Sequence, residues 1–277
     1  ILKSSKTYYH GLMTSDSMLT TTEAAKLAAV APSTIKRWAD EGILPFSRTA
    51  GGHRRFERFA IEEYVRGQAR ASSGDASPSD SWIRVLTHGQ RYDIDSRLLE
   101  ARGRLGGWFR VADEIGGVLA EMGRRWVSGQ LTIAEEHVAS DALLRSLTRI
   151  GDTLPVRLGG KRSLIVCAGD DDHTLGLSLA ELCLREVGVS PVWLGRRTPV
   201  AEVSRLVGEG DVDLVVVSAS VALTNQADLA QLADDLGAAC RAHNVRLVLG
   251  GNGAWPETLS YGVRLTSFAR FHQYLTE

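Results

Sequence analysis

The chain has 277 residues, 44% hydrophobic and 23% charged, with a formal net charge of -1; that is too long for one ordinary core, since domains cluster near ~100 to 150 residues, and the composition excludes disorder and fibrous repeats. No run approaches the ~18 apolar residues of a membrane span and residues 1–18 hold no signal-peptide apolar segment, so a cytoplasmic protein with no membrane partner is expected. Cys167, Cys183 and Cys240, an odd number widely spaced in apolar stretches, read as reduced core residues and exclude a disulfide framework or a zinc site.

Residues 1–17 precede a methionine, Met18, that stands directly before the first helical pattern, and read as an extension of the native start. Thr20 to Ala28 predicts a short helix with a threonine cap and Glu23 in its first turn; Pro32 suits the first position of a second helix running through Trp38 until Gly42. Two short helices joined by a tight turn predict a helix-turn-helix. Ile35 and Trp38 face the core at three-residue spacing, leaving Ser33, Thr34, Lys36 and Arg37 for the groove and phosphates of double-stranded DNA. Arg48 to Phe56 follows as a hairpin wing, with Gly51-Gly52 at its tip and Arg48, His53, Arg54 and Arg55 as cations for the phosphate backbone. The charge is split accordingly: 11 Lys and Arg against 7 Asp and Glu through residue 70, and 21 against 26 beyond.

Residues 71–80, ASSGDASPSD, form a polar linker. From Trp82 to Ile150 apolar residues recur at helical spacing (Ile115, Val118, Leu119, Met122; then Leu131, Ala134, Val138, Leu143, Leu144, Leu147), predicting a helical bundle. Trp126 ends one of its helices, and Thr132 to Glu135 is a capping box that puts Glu136 and His137 in the first turn of the next. After a break at residues 152–162, the runs SLIVCA, PVWLG, DLVVVSA and RLVLGG alternate with helical stretches, with Gly262 to Leu265 as a further strand, predicting a parallel α/β sheet. The loop leaving its first strand reads Asp171-x-His173-x-x-Gly176: an imidazole that can bind a metal, a carboxylate able to fix its tautomer, and a glycine that admits a broad planar ligand. Taken alone, the loop histidine reads by default as a solvated side chain, Trp126 as a core aromatic, and Glu136-His137 as a solvated helix turn.

The segment from Thr20 to Phe56, with its GGHRRF wing, resembles the DNA-binding domain of the MerR family. Residues 162–277 resemble the cobalamin-binding domain of methionine synthase, the corrinoid carriers and the cobalamin mutases. With Trp126, nine residues and then Glu136-His137 between them, the whole chain is similar to the MerR-family cobalamin-dependent photoreceptor regulators of the CarH/LitR type. The resemblance implies a multidomain α and α/β protein: a winged helix-turn-helix over 18–70, a linker over 71–80, a helical bundle over 81–151, and a flavodoxin-like parallel sheet over 162–277. It implies His173 as lower cobalt ligand in place of the cofactor's own base, supported by Asp171; Gly176, Ser218, Gly250 and Gly251 around the nucleotide tail; and Trp126, Glu136 and His137 around the adenosyl group of adenosylcobalamin. Two positions depart from the pattern: Ser218-Ala219-Ser220 replaces Ser-x-Leu, and Val127 replaces the histidine that follows the tryptophan. The implied function is a non-enzymatic, light-responsive repressor that binds operator DNA as a homo-oligomer, dimer or tetramer, and is released on photolysis of adenosylcobalamin. A light-independent cobalamin sensor is the alternative. A corrinoid methyl-transfer carrier is a third reading that leaves the winged helix unexplained.

Overall fold

A computed structural model describes residues 18–28, 30–40, 44–49, 51–58, 60–62, 64–65, 77–89, 91–155 and 159–277. The extension expected over 1–17, the helix stop at Gly42, and 66–76, which holds the end of the first domain and most of the linker, lie outside these residues. The chain divides into two compact units, one of Ile1–Thr87 with Val118–His137 and the other of His88–Gly117 with Val138–Glu277.

The first unit opens with strand β1 (Met18–Thr20) and helix α1 (Thr21–Leu27). The helix starts where it does because Thr20 and Glu23 bond reciprocally: the Glu23 amide donates to Thr20 Oγ1 at 3.2 Å and the Thr20 amide to Glu23 Oε2 at 2.7 Å. Helix α2 (Pro32–Asp40) follows, then β2 (Ser47–Arg48) and β3 (Arg54–Glu57), with β3 central in an antiparallel sheet of order β1-β3-β2. Leu19, Ala24, Ala25, Ile35, Leu44, Phe56 and Ile61 form the core, and Trp38, half-buried, meets Tyr64 edge-on at 4.6 Å. The sheet's outer hairpin closes through the Thr49 amide on the His53 carbonyl at 2.9 Å, with Gly52 at φ 76 where a side chain would be strained.

Helix α3 (Pro78–His88) lies in the same unit up to Thr87 and begins within the linker expected over 71–80. Ser77 and Asp80 cap its start: the Ser77 amide donates to Asp80 Oδ2 at 3.0 Å and the Asp80 amide to Ser77 Oγ at 3.1 Å. The polar composition that reads as a linker is, in its last residues, a helix cap. Helices α4 (Arg91–Leu105), α5 (Trp108–Val127) and α6 (Ile133–Thr153) complete the helical segment. The unit boundary crosses α5 between Gly117 and Val118 and α6 between His137 and Val138. Ile94, Leu98, Val111, Ala112, Ile115, Leu143, Leu147 and Ile150 are buried, at the helical spacing that predicts an apolar face. Ala134 and Val138 are exposed rather than on that face; the stripe begins only at Ala139, about two turns beyond the cap at Thr132, which fixes the start of α6 through Glu135.

The second unit holds the α/β domain: β4 (Arg162–Cys167), α7 (Leu175–Glu186), β5 (Ser190–Gly195), α8 (Val200–Gly208), β6 (Leu214–Ser218), α9 (Gln226–Ala242), β7 (Arg246–Gly250), β8 (Val263–Arg264) and α10 (Phe268–Thr276). All paired strands are parallel, in the order β5-β4-β6-β7-β8. That is the flavodoxin-like order, second strand outside the first and the rest to the other side. Leu164, Val166, Val215, Val217, Leu247 and Leu249 pack with Val203, Val207, Leu229, Ala233 and Leu236 of α8 and α9. Alternation along each strand puts Ile165, Cys167, Val216 and Ser218 on the other face, the side of α7, whose Glu181 accepts the Trp193 indole N–H at 2.6 Å. Two helix starts within this unit are capped from a distance. Glu186 accepts the Trp108 amide at 2.8 Å, and Asp113 accepts the amides of Phe268 and Ala269 at 2.7 and 3.0 Å.

Candidate functional site

Helix α2 presents Ser33, Lys36 and Arg37 at the surface and Thr34 half-buried, while Ile35 is buried. The amphipathic split is what a helix docked on its own domain and facing a groove requires. On the wing His53 is exposed, with its amide donating to Thr49 Oγ1 at 3.2 Å, and Arg48 Nη1 donates to the Gly52 carbonyl at 3.3 Å. Arg55 is half-buried and donates to the Arg54 carbonyl at 3.3 Å. Arg54, expected as a phosphate contact, is turned inward in the structure. Its side chain is 19% exposed, it donates to the Lys36 carbonyl at 3.1 Å and to Asp40 Oδ1 at 2.5 Å, and it lies 4.7 Å over the Phe46 ring. A cation placed on the last turn of α2 meets the negative end of that helix, so Arg54 ties the wing to the end of α2.

At the carboxyl edge of the parallel sheet, strand register brings Cys167, Ser218 and Gly250 abreast. This edge, beside the switch between β4 and β6, is where open α/β sheets place ligands. The loop after β4 carries Asp171 and His173. Asp171 is buried, its side chain 1% exposed, and His173 projects outward at 67%. Asp171 Oδ1 lies 2.7 Å from His173 Nδ1 and accepts the His173 amide at 3.1 Å; Oδ2 accepts the Ser220 amide at 2.5 Å. Ser220 Oγ stands 3.0 Å from Asp171 Oδ1 and 3.1 Å from His173 Nδ1. Burial pushes the Asp171 carboxyl upward, but the bonds from the His173 ring, the Ser220 amide and the His173 amide outweigh it and hold the group below its ordinary value. An ionised Asp171 keeps the proton on Nδ1, which leaves the lone pair of Nε2 to bind a metal. Cys167 is pushed up to about 11 by burial and then by the Asp171 charge, so it stays a thiol and donates to the His173 carbonyl at 3.6 Å.

Ser220 is not among the residues expected here. Its signal in the sequence is the departure from Ser-x-Leu: a hydroxyl where the pattern has an aliphatic side chain, two residues beyond a strand end. Gly176, in the first turn of α7, faces Ser218, and a Cβ there would stand 3.1 Å from Ser218 Oγ. Gly251 has φ 81, and a Cβ on it would stand 2.2 Å from the Ala219 carbonyl oxygen, so no other residue fits. A separate cavity of about 280 Å³ lies on the α8 and α9 side of the sheet, lined by Val166, Val203, Val217, Leu232 and Leu236 with Asp170 and Arg197 also at its wall; none of the expected cofactor residues lines it.

Trp126, Glu136 and His137 all belong to the first unit. Trp126 is half-buried in the last turn of α5, and His137 Nδ1 lies 2.6 Å from Glu136 Oε2 in the first turn of α6. Val127 is exposed. The last turns of α5 also hold an ion network: Arg125 bonds Glu121 at 2.8 Å and pairs with Asp80, and Arg124 pairs with Glu121 at 2.5 Å. Burial raises the Glu121 carboxyl, and its bonds to Arg125 and Arg124 lower it further than burial raises it.

Residues 18–69 match the helix-turn-helix domain family. Two curated proteins of Myxococcus xanthus are similar to the chain. The HTH-type transcriptional repressor CarH is 29% identical over 219 residues, which span 66% of this chain and 73% of that one. The HTH-type transcriptional repressor CarA is 26% identical over 253 residues, spanning 83% and 85%. Among solved structures, the Methanosarcina barkeri monomethylamine corrinoid protein superposes with a TM-score of 0.52 at 17% identity, covering 71% of this chain and 93% of that one; at that identity the likeness speaks for the fold. The relatives are repressors and not enzymes, and among the described residues no helix is long and apolar enough to cross a membrane. With its helix-turn-helix at the front, a fold like that of a corrinoid protein behind it and this similarity along most of its length, the chain is similar to the CarH and CarA helix-turn-helix transcriptional repressors.

Proposed function

We propose that this chain is a repressor that binds double-stranded operator DNA through α2 and the wing and takes a cobalamin at the carboxyl edge of its parallel sheet, with His173 as the lower cobalt ligand. The observation that carries the reading is the Asp171, His173 and Ser220 group beside the gap that Gly176 leaves against Ser218. A single aimed imidazole suits a metal whose other positions are filled by a macrocycle, and the gap at Gly176, with Gly250 and Gly251 nearby, suits a displaced nucleotide tail. The residues therefore fit the group. In the same reading Trp126 packs on the adenosyl group of adenosylcobalamin and Glu136 and His137 hydrogen-bond it.

When bound, adenosylcobalamin supplies a cobalt–carbon bond that light can break. The protein's part is to hold the lower ligand fixed, bury the upper group, and assemble as a dimer or tetramer that sets several winged helices on one operator. Linked modules gain effective concentration, so loss of the oligomer weakens DNA binding with every base contact intact. Ser33, Thr34, Lys36, Arg37, Arg48, His53 and Arg55 remain the proposed DNA contacts.

The test is an absorption spectrum of the protein mixed in the dark with adenosylcobalamin, repeated after green light and with His173→Ala. A histidine-ligated spectrum that changes with light and is lost in the variant supports the reading; no cobalamin bound overturns the ligand assignment. Val127 favours a second reading, in which cobalamin is a measured metabolite: valine has no lone pair to give cobalt after the bond breaks. A ligated complex whose spectrum and DNA affinity ignore light would select it.

A further inference from the structure

We propose that Gly116 and Gly117 form a hinge in helix α5, about which residues 118–127 bend while residues 108–115 stay fixed. Both glycines lie in the middle of a helix of twenty residues, and a Cβ on either would meet nothing within 4 Å. Alanine would therefore fit at both places. Each glycine nonetheless lowers the local helix equilibrium roughly fivefold relative to alanine. The pair is thus a cost that packing does not require.

The contacts on the two sides explain what the pair separates. On the N-terminal side, Glu186 accepts the Trp108 amide, Asp113 caps α10, and Phe109 stacks on His272 at 4.1 Å. On the C-terminal side, Glu121, Arg124 and Arg125 bond to one another and to Asp80 in the first turn of α3. The division into compact units falls between Gly117 and Val118. A bend there leaves both sets of bonds in place, since each of these bonds lies wholly on one side of the pair. Helix kinks without proline need a weak point such as this.

The hinge gives the C-terminal half its use: Arg125 and Trp126 move together, and through the Arg125 pair with Asp80 they carry the start of α3, the first helix after the linker from the DNA-binding domain. That consequence rests on the cobalamin reading of Trp126; the hinge itself does not, and the experiment uses the protein without cofactor.

The experiment is hydrogen exchange on the full chain and on the Gly116→Ala/Gly117→Ala variant, corrected for intrinsic rates. The amides of residues 117–121, whose helical bonds reach back across the glycines, should exchange about tenfold faster than those of residues 112–116 in the wild type. They should slow by on the order of 20-fold in the variant, which folds because alanine favours the helix. Equal protection of the two halves in the wild type overturns the hinge, as does an unchanged rate in the variant. A change in oligomeric state by sedimentation with exchange unchanged also overturns it, since the glycines would then serve the close approach of a second copy.

Discussion

Replacing Asp171 with asparagine isolates what the buried carboxylate does for His173. The side chain is nearly inaccessible and receives donors at both oxygens: the His173 ring and amide and the Ser220 hydroxyl at Oδ1, and the Ser220 amide at Oδ2. Asparagine offers one oxygen and one NH2 group. Keeping the oxygen toward the three donors turns the NH2 on the Ser220 amide, and a buried N–H without an acceptor costs about 1 to 3 kcal/mol. The neutral amide also ceases to raise the basicity of the imidazole, and removing such an outer partner costs roughly 10- to 100-fold in metal affinity. Titration of adenosylcobalamin in the dark, followed by the shift to a histidine-ligated spectrum, should give that loss for Asp171→Asn and no such spectrum for His173→Ala. An affinity within about threefold of wild type would refute the positioning role, because that is below the outer-partner range. The same variant predicts an acid limb. The folded Asp171 carboxyl is held below its unfolded value of about 3.9, so its stabilisation is fully present above that pH and is lost as pH falls through the lower folded value. Urea midpoints compared at neutral pH and at about pH 3 should therefore fall more for wild type than for Asp171→Asn.

Arg54→Ala should weaken operator binding by loosening the wing while leaving the salt slope unchanged, whereas Lys36→Ala should lower the slope by about 1; fluorescence anisotropy across a salt series reads both, and a reduced slope for Arg54→Ala would return it to the phosphate contacts. Gly176→Val should fill the gap against Ser218 and weaken cobalamin binding by roughly tenfold or more, with the far-ultraviolet circular dichroism unchanged; retained affinity would place the nucleotide tail elsewhere. Asp113→Ala removes the acceptor for two amides at the start of α10 and should cost about 1 kcal/mol in urea denaturation, and no measurable loss would mean that Ser267, which accepts the Arg270 amide, suffices as the cap.

Much of the fold is legible because its signals are local and strong. Thr20 and Glu23 are spaced for a capping box and form one, and the runs SLIVCA, DLVVVSA and RLVLGG become buried parallel strands because both of their faces are covered, while PVWLG forms the half-buried edge strand β5. The end of the linker misleads for a physical reason: serine, proline and aspartate mark both flexible chain and helix starts, and only the reciprocal bonds of Ser77 and Asp80 decide between them. Ala134 and Val138 continue the helical period in sequence but fall outside the buried stripe; periodicity reports a face and says nothing of where a neighbour stops covering it. Arg54 carries the same positive charge as its neighbours on the wing, and its inward turn depends on the Phe46 ring and on Asp40, fourteen residues away. Ser220 is the clearest omission at the site. A serine that breaks a motif reads as a weakened contact, whereas here it joins the Asp171 and His173 pair, a gain visible only once β6 lies beside β4.

The two groups of proposed cofactor residues are supported in different ways, and the difference bears on what the protein can sense. Ser218 and Gly250 end strands whose register sets them abreast of Cys167, Gly251 follows directly with its backbone against Ala219, and His173 is tied to the buried Asp171 in the loop after β4. Trp126, Glu136 and His137 sit in the last turn of one helix and the first of another, where the helical ladder is incomplete and side chains supply the missing bonds. Glu136 already holds His137 and Arg125 already holds Asp80, so under the proposed reading a change of upper ligand would act on bonded pairs at helix ends rather than on a rigid wall. A metabolite sensor and a photoreceptor both need this asymmetry, a lower ligand that stays and an upper contact that is replaced. What separates them is the fate of the upper cobalt position, which Val127, exposed and without a donor atom, cannot fill where the resembling family has a histidine.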